Sequence, residues 1–167
     1  NKIGTYEEAK VAIDTSLEKL NLTYLDLYLI HWPNPLAFRD RWQERNAQVW
    51  RAMEEALEAG KIRALGVSNF HPHHLEALLK TAKIKPVVNQ ILLNPSDQQE
   101  PLVASNQAHH ILSEAYSPLG TGKIFEVVEL QTLGQKYGKT VAQLVLRWSL
   151  QKGFLPLPKS VTKERII

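Results

Sequence analysis

The chain has 167 residues, enough for one ordinary domain or for a large part of a bigger one. Hydrophobic residues make up 44% of the sequence and charged residues 22%, the proportions of a globular protein rather than of a disordered chain. Every apolar run is shorter than the roughly 20 residues that cross a bilayer. The first residues carry no secretory signal, so neither a transmembrane nor a secretory route is indicated.

The charge and the missing cysteines narrow the classes of site that the chain can hold. Cysteine is absent, which excludes disulfides, thiol nucleophiles and thiolate metal sites and fits a reducing cytoplasm. The formal net charge is +3, from 20 basic and 17 acidic side chains. Lys and Arg are scattered along the sequence, whereas nucleic-acid binding calls for a clustered basic stripe. The small surplus of positive charge suits an anionic small molecule.

Hydrophobic periodicity predicts alternating helices and strands. A Thr5–Glu8 capping pattern begins a helix that runs to Leu20. Five short apolar segments are predicted strands: residues 25–30, 62–67, 87–92, 111–115 and 154–157. Further helices are predicted over 41–59, over 72–83, and from 127 with an interruption at 138 and a restart at 140, while a polar connection joins the third and fourth strands. Thr162 is predicted to begin a last helix.

The alternation of strand and helix indicates the α/β class. A strand recurs about every 30 to 40 residues, as in βαβ units, which favours a parallel sheet with helices outside it. Five strands are fewer than the eight strands and about 250 residues of a closed (β/α)8 barrel. An open doubly wound sheet of five strands is the competing architecture. Composition and periodicity do not decide between the two.

Polar or aromatic residues of unusual type lie at the carboxyl end of nearly every predicted strand. In chain order these residues are His31 and Trp32, Ser68 and Asn69, Gln90, Tyr116 and Ser117, and Lys159 and Ser160. In α/β barrels the active site is assembled from such strand ends, whatever the chemistry. We therefore expect the five sets to contribute to one shared site.

Five segments resemble the aldo-keto reductase family in order and spacing. They are LDLYLIHWP from Leu25, GKIRALGVSNF from Gly60, VVNQ from Val87, EAYSPLGTGK from Glu114 and LPLPKSVTKERI from Leu155. The likeness is greatest to bacterial 2,5-diketo-gluconate, glyoxal and methylglyoxal reductases. It implies a (β/α)8 TIM barrel, of which residues 1–167 would be a single incomplete domain holding strands four to eight, without the N-terminal strands and the C-terminal tail. It also implies NADP(H)-dependent reduction of aldehydes and ketones to alcohols.

The resemblance assigns roles around the reacting carbonyl and the nicotinamide. His31 matches the active-site histidine, and a neutral imidazole can donate a hydrogen bond to the substrate oxygen. Trp32 would line the substrate pocket, or else pack against the next helix. Ser68, Asn69 and Gln90 match the residues that hold the nicotinamide carboxamide, although Asn69 could instead stabilise its loop. Tyr116 matches the aromatic on which the nicotinamide stacks; without the family it would be a candidate proton donor or a core residue.

The resemblance also assigns the phosphate contacts of the cofactor. A loop with Ser117, Leu119, Gly120 and Thr121 would cradle the pyrophosphate, since glycine permits close approach. A final set at the last strand end and the following helix start would bind the 2′-phosphate of NADP(H): Lys159, Ser160, Thr162 and Arg165. The alternative for this last set is a solvated run of charges.

Several family features have no match in the chain. The tyrosine, aspartate and lysine of the family's catalytic group are expected upstream of Asn1, so the 167 residues alone are expected to be catalytically defective. None of the other tyrosines, Tyr6, Tyr24, Tyr28 and Tyr137, matches the proton donor. No GxGxxG fingerprint supports a Rossmann site. The histidines at 71, 73, 74, 109 and 110 lack clean metal-ligand spacing and are expected at helix ends and on the surface.

The expected partners follow from this reading. We expect a small-molecule carbonyl substrate, NADP(H) as cofactor, no metal, no nucleic acid, no membrane, a cytoplasmic location, and a monomer or weak oligomer. The alternative is a non-catalytic NADP(H)-binding or structural member of the same fold. An upstream aspartate, tyrosine and lysine in the parent gene would favour the enzyme.

Overall fold

The computed structural model describes residues 2–166 and contains one sheet of five parallel strands in the order β1-β2-β3-β4-β5. The strands are β1 Leu25–Ile30, β2 Ile62–Ser68, β3 Val88–Leu92, β4 Leu112–Tyr116 and β5 Leu155–Leu157. The α/β class and the five parallel strands are thereby confirmed, with strand ends within one residue of those predicted.

Residues 2–166 contain six α-helices, one ahead of β1 and five between successive strands. They are α1 Tyr6–Leu20, α2 Trp42–Glu58, α3 Pro72–Leu79, α4 Glu100–Ala108, α5 Val128–Tyr137 and α6 Val141–Gln151. Capping boxes at Thr5 with Glu8 and at Thr140 with Gln143 begin α1 and α6 as the sequence predicts. Short 3-10 segments cover Leu36–Arg41, Gly120–Glu126 and Lys163–Arg165. None of the helices in residues 2–166 is long and apolar enough to span a membrane.

Two of the predicted elements were wrong in extent or type. The helix predicted over 72–83 ends at Leu79, because the Glu54 carboxylate of α2 accepts hydrogen bonds from the backbone N–H groups of Lys83 and Ile84. The polar connection predicted between β3 and β4 contains α4. A buried Asn106 on α4, bonded to Ser113 of β4, interrupts the apolar pattern by which a helix is recognised.

The helix predicted from Thr162 was also wrong for the described residues. Lys163–Arg165 form a single 3-10 turn, with hydrogen bonds from Arg165 to Thr162 and from Ile166 to Lys163. Both bonds span three residues, whereas an α-helix requires bonds that span four. The predicted helix N-terminus is therefore not available as a phosphate-binding feature within residues 2–166.

The contacts divide the chain into two compact units, each described by itself below. The first unit comprises the residues up to Asn89 together with Ala108–Ile111, and the second comprises Gln90–Gln107 and the residues from Leu112 onward. The prediction that the chain is a single incomplete barrel domain stays a prediction.

In the first unit, α1 and α2 pack on the strands β1 and β2. The largest fully buried side chains of this core include Ile13, Trp50, Met53, Leu65 and Phe70. The strands pair in parallel from Leu25 with Ile62 to Ile30 with Val67. The backbone of β2 also lies close to Val88 of β3, because a Cβ added at Gly66 would be 3.0 Å from the Val88 carbonyl oxygen. The residues that follow the last pair are His31 and Ser68.

In the second unit, β4 pairs in parallel with β5, from Glu114 with Leu155 to Tyr116 with Leu157. A smaller core includes Ile91, Leu93, Leu102, Val103, Ala115 and Phe154. β5 carries Pro156 and lies at the end of the strand order, the kind of position in a sheet where proline is usually found. Because the last pair joins Tyr116 and Leu157, the loops that begin at Ser117 and Pro158 leave the sheet together.

Candidate functional site

The first unit brings three of the predicted site residues together at the carboxyl ends of β1 and β2. The Asn69 side-chain amide donates hydrogen bonds to the His31 carbonyl oxygen at 3.2 Å and to the Ser68 hydroxyl at 3.0 Å. Asn69 has a φ of 62°, a left-handed conformation that asparagine tolerates better than most residues. His31 is exposed and Ser68 is buried. Asn69 thus ties the loop that carries His31 to the end of β2.

A fully buried asparagine holds the turn after Asn69. The Asn89 side chain donates to the Phe70 carbonyl oxygen at 2.8 Å and accepts from the Phe70 backbone N–H at 3.4 Å. Asn89 is completely buried, and both halves of its amide are thereby used. Sequence reasoning did not single out Asn89, although it stands in the VVNQ segment as a polar residue inside an apolar strand.

Two neighbouring residues of α2 hold the loop that follows His31. The buried Arg45 guanidinium donates to the carbonyl oxygens of Trp32 at 3.0 Å and Ile3 at 2.9 Å, and the Asn46 amide donates to the Pro33 carbonyl oxygen at 3.0 Å. Burial lowers the pKa of the Arg45 guanidinium. Trp32 itself stays 42% exposed. One feature of the sequence indicated that Asn46 is buried. Asn46 precedes Trp50 by one helical turn, so the two residues share a face of α2.

In the second unit, Gln90 of β3 and Glu114 of β4 are hydrogen-bonded side chain to side chain. Gln90 Nε2 donates to Glu114 Oε2 at 2.6 Å, and Glu114 is buried. Glu114 and Tyr116 are two residues apart on one strand, so both project from the same face. Burial, and to a lesser degree the charge of Asp97, raise the pKa of the Tyr116 hydroxyl. Sequence reasoning passed over Glu114, whose signal was a carboxylate within a buried strand.

The loop predicted to cradle a pyrophosphate has an unusual backbone. Ser117, Gly120, Thr121 and Gly122 all have positive φ, at 48°, 54°, 53° and 100°. The N–H groups of Gly120 and Gly122 donate within the loop, to the carbonyl oxygens of Ser117 and Leu119. Non-glycine residues in the left-handed region cluster at ligand sites, where the surrounding structure sustains the strain. The loop is thus a pair of tight turns set directly after Tyr116.

A cleft of about 1030 Å³ in the second unit joins this loop to the segment after β5. The predicted cofactor residues that line it are Leu119, Lys159, Ser160 and Arg165. Its other walls come from Phe125, from α6, and from Pro158, Glu164 and Ile166. Gly120, Thr121 and Thr162 are not among the lining residues, although the Thr162 backbone N–H donates to the Ser160 hydroxyl at 3.1 Å. Two cations that line this cleft fit a phosphorylated ligand.

The histidines at the start of α3 form a cluster with Trp42. The His74 ring centroid lies 3.8 Å from that of His73 and 4.8 Å from that of Trp42. Burial lowers the pKa of His74 to about 4, with smaller contributions from the neighbouring His73 and His71. No three histidine, aspartate or glutamate side chains in residues 2–166 are placed to hold a metal ion. We assign the cluster no binding role.

Comparison with known proteins gives the chain a family. The model of the aldo/keto reductase family matches residues 1–166. Glyoxal reductase of Bacillus subtilis is 46% identical over 167 residues, which are 100% of this chain and 58% of that protein. The methylglyoxal reductase DkgA of Yersinia pestis is 46% identical over 93% of this chain and 54% of its own length. The chain thus spans little more than half the length of these relatives.

Solved structures also relate the chain to aldo/keto reductases. An aldo/keto reductase from Brucella melitensis superposes with a TM-score of 0.91 at 42% identity, covering 99% of this chain and 62% of that one. A mutant of Gox0644 crystallised in complex with NADPH has a TM-score of 0.91 at 37% identity, covering 99% of this chain and 59% of that one. A family match along nearly the whole described chain and close superposition on barrel enzymes agree, and the chain belongs to the aldo/keto reductase family.

Proposed function

We propose that the protein is an NADP(H)-dependent oxidoreductase that reduces small aldehydes and ketones to alcohols. Membership of the aldo/keto reductase family supports the reaction class. A structural neighbour holding NADPH supports the cofactor. The observation that carries the proposal is the cleft of the second unit, where Lys159 and Arg165 line one pocket with Leu119, from a loop some forty residues earlier. Residues that are far apart in the sequence and are assigned to the same cofactor thus line the same pocket.

The proposed substrates are small dicarbonyl compounds. Relatives that are 42 to 46% identical to this chain are named glyoxal or methylglyoxal reductases. In the proposed site, His31 and Trp32 receive the substrate. The exposure of both side chains, on a loop fixed by Arg45 and Asn69, supports this assignment. A fixed backbone under an exposed imidazole suits a group that must meet a substrate atom in one geometry.

The chain's own residues supply the proposed cofactor contacts. We assign Ser68, Asn69 and Gln90 to the nicotinamide carboxamide and Tyr116 to its ring. Two further groups complete the assignment: Ser117, Leu119, Gly120 and Thr121 for the pyrophosphate, and Lys159, Ser160, Thr162 and Arg165 for the 2′-phosphate. When bound, the reduced cofactor supplies a hydride. We further propose that the chain is a single incomplete barrel domain.

His31 is the proposed catalytic group of this chain. A neutral imidazole there donates a hydrogen bond to the carbonyl oxygen, orients the substrate and stabilises the negative charge that develops on oxygen. The proton donor of the family matches no tyrosine of this chain. Tyr116 is unsuited to that role, because burial and Asp97 raise its hydroxyl pKa and so hold the proton more tightly.

The reaction is tested with the whole protein, NADPH, and either glyoxal or methylglyoxal. We expect NADPH consumption that depends on the carbonyl compound. His31→Ala should lower kcat by about 10²-fold, the usual cost of one polarising hydrogen-bond donor. His109→Ala, in the turn after α4, is the matched control and should leave kcat unchanged. NADPH binding without turnover of any carbonyl compound would contradict the reductase and favour the non-catalytic alternative. The absence of NADPH binding would contradict both.

A further inference from the structure

We infer that Glu114 is a positioning residue that sets which end of the Gln90 side-chain amide faces the cofactor. The inference rests on the proposed function, in which Gln90 contacts the nicotinamide carboxamide. It adds the reason why Gln90 would present its oxygen rather than its nitrogen.

The hydrogen bond between the two side chains fixes the direction of the amide. Gln90 Nε2 lies 2.6 Å from Glu114 Oε2. A carboxylate accepts hydrogen bonds and donates none, so it must meet the amide nitrogen of Gln90 and not the amide oxygen. The two ends of the amide are nearly isosteric, and the hydrogen bond to Glu114 decides between them. With Nε2 held by Glu114, Oε1 points away from that carboxylate.

The position of Glu114 on β4 relates this bond to the proposed nicotinamide site. Glu114 precedes Tyr116 by two residues and projects from the same face of the strand. Ser113 projects from the opposite face, where its hydroxyl accepts from the Asn106 amide of α4 at 3.0 Å. Glu114 is only 5% exposed and Gln90 is half-buried, so the bond between them is partly shielded from competing water. A partly shielded charge-assisted hydrogen bond holds its partner more firmly than a neutral, solvated one.

The consequence is a specificity for the carboxamide nitrogen of the nicotinamide. With Nε2 bonded to Glu114, Oε1 is the atom that Gln90 would present to the cofactor, and the complementary group there is the N–H2 of the carboxamide. A cofactor with a methyl group in that place has no hydrogen to donate and leaves the Gln90 oxygen without this partner. Buried sites reject such analogues because an unpaired polar group is costly. A purely structural role for Glu114 predicts lower stability but no change in this preference.

The preference is measured by titrating the whole protein with NADP⁺ and with its acetylpyridine analogue, in which a methyl group replaces the amide nitrogen. The readout is the ratio of the two Kd values from calorimetry, which does not depend on turnover. We expect the wild-type protein to prefer NADP⁺, and Glu114→Leu to reduce that preference about tenfold, the equivalent of one well-placed hydrogen bond. Glu114→Gln should lose only part of it, because its amide oxygen can still accept from Gln90. Ser113→Ala, on the opposite face, should keep the wild-type ratio.

The variant Gln90→Ala distinguishes the proposed contact of Gln90 with the cofactor from the proposed positioning role of Glu114. If Gln90→Ala abolishes the preference while Glu114→Leu and Glu114→Gln both keep it, the positioning role is wrong and the proposed cofactor contact stands. If the wild-type protein shows no preference, or Gln90→Ala leaves it intact, the assignment of Gln90 to the carboxamide fails and the inference falls with it. Should Glu114→Leu not fold, an unchanged ratio in Glu114→Gln still overturns the inference.

Discussion

The imidazole of His74 is a buried titratable group outside the proposed cofactor site. Its Nδ1 accepts a hydrogen bond from the His71 backbone N–H at 3.1 Å, which completes the cap of α3. The rings of Trp42 and Phe70 contact it edge-on. A protonated imidazole would lose the accepting nitrogen and place a charge in this apolar setting beside two further histidines. His74 therefore stabilises the fold only while it is neutral.

This environment predicts a pH dependence of stability. The folded-state pKa of His74 is about 4, below its ordinary value of 6.5. Between these values the unfolded chain binds a proton that the folded chain does not, so the stabilisation is complete above pH 6.5 and is lost as the pH falls to 4. From pH 7 to 4.5 the free energy of unfolding should fall by about 2 kcal/mol more in the wild-type protein than in His74→Gln.

Urea denaturation at the two pH values measures the difference. Glutamine is a suitable replacement because it can accept the same backbone hydrogen bond at this helix position without titrating. His73→Gln, an exposed neighbour on the same helix, is the control and should keep most of the wild-type pH dependence. The same pH dependence in His74→Gln and the wild-type protein would contradict the assignment.

Some residues of the proposed site could be predicted from the sequence, and others could not. His31 and Asn69 could be selected from their motifs, because they stand directly after predicted strands. Asn89, Arg45 and Glu114 could not, although each contacts or directly precedes a predicted site residue. Their partners are backbone or side-chain groups on other elements, and the pairing exists only once β3, α2 and β4 are in place. A polar residue in an apolar segment signals that such a partner exists without identifying it.

Among the elements, α2 has the most direct influence on the proposed catalytic loop. Its buried face carries Arg45 and Asn46, whose side chains bind the carbonyl oxygens of Trp32 and Pro33. Arg45 also binds the Ile3 carbonyl oxygen ahead of α1. One guanidinium thereby joins three segments of the first unit. The loop that presents His31 depends on this helix for its conformation.

Replacing Arg45 tests that dependence. Arg45→Met keeps much of the buried aliphatic stem but removes hydrogen bonds from a charged donor, each contributing roughly 1.5 to 3 kcal/mol. We expect the free energy of unfolding in urea to fall by about 3 kcal/mol. Arg51→Met, on the exposed face of the same helix, should cost about 1 kcal/mol or less. Equal effects of the two substitutions would show that Arg45 does not hold the loop.

The predictability of the elements follows the strength of their local signals. α1 and α6 begin where their capping boxes predict, since Thr5 and Thr140 satisfy helix N–H groups through local hydrogen bonds. α4 escaped prediction because its buried side includes Asn106, which is satisfied only by Ser113 of the next strand. The end of α3 is likewise set from outside, by Glu54 of α2. Elements specified by their own residues could be predicted, and those specified by a neighbour could not.

At the scale of the whole molecule, the family and the strand count were accessible from sequence. The five segments that resemble aldo-keto reductases extend over most of the length matched by the family model. Periodicity alone left the barrel and the open sheet undecided, because five strands are compatible with either. The roles of individual cofactor residues stay predictions, and the second unit supports them most strongly through the cleft that Lys159 and Arg165 share.

The basic residues that matter for the proposed cofactor site are the few that line this cleft. A net charge of +3 gives no large basic field, so the proposed recognition of a phosphorylated cofactor would depend on the few cations that line the pocket. Lys159 and Arg165 line it with Ser160, and Glu164 lies beside them. The 2′-phosphate distinguishes NADPH from NADH, so a cofactor preference would report directly on these cations.

The most direct test of the account is the affinity of the whole protein for NADPH and for NADH, by fluorescence titration. We expect Lys159→Ala and Arg165→Ala each to weaken NADPH binding about ten- to hundredfold and to change NADH binding little, since each would remove a charge-assisted hydrogen bond proposed for the 2′-phosphate. Lys163→Ala, whose side chain does not line the cleft, is the matched control. Equal losses for the two cofactors, or no effect on either, would contradict the proposed NADP(H) site.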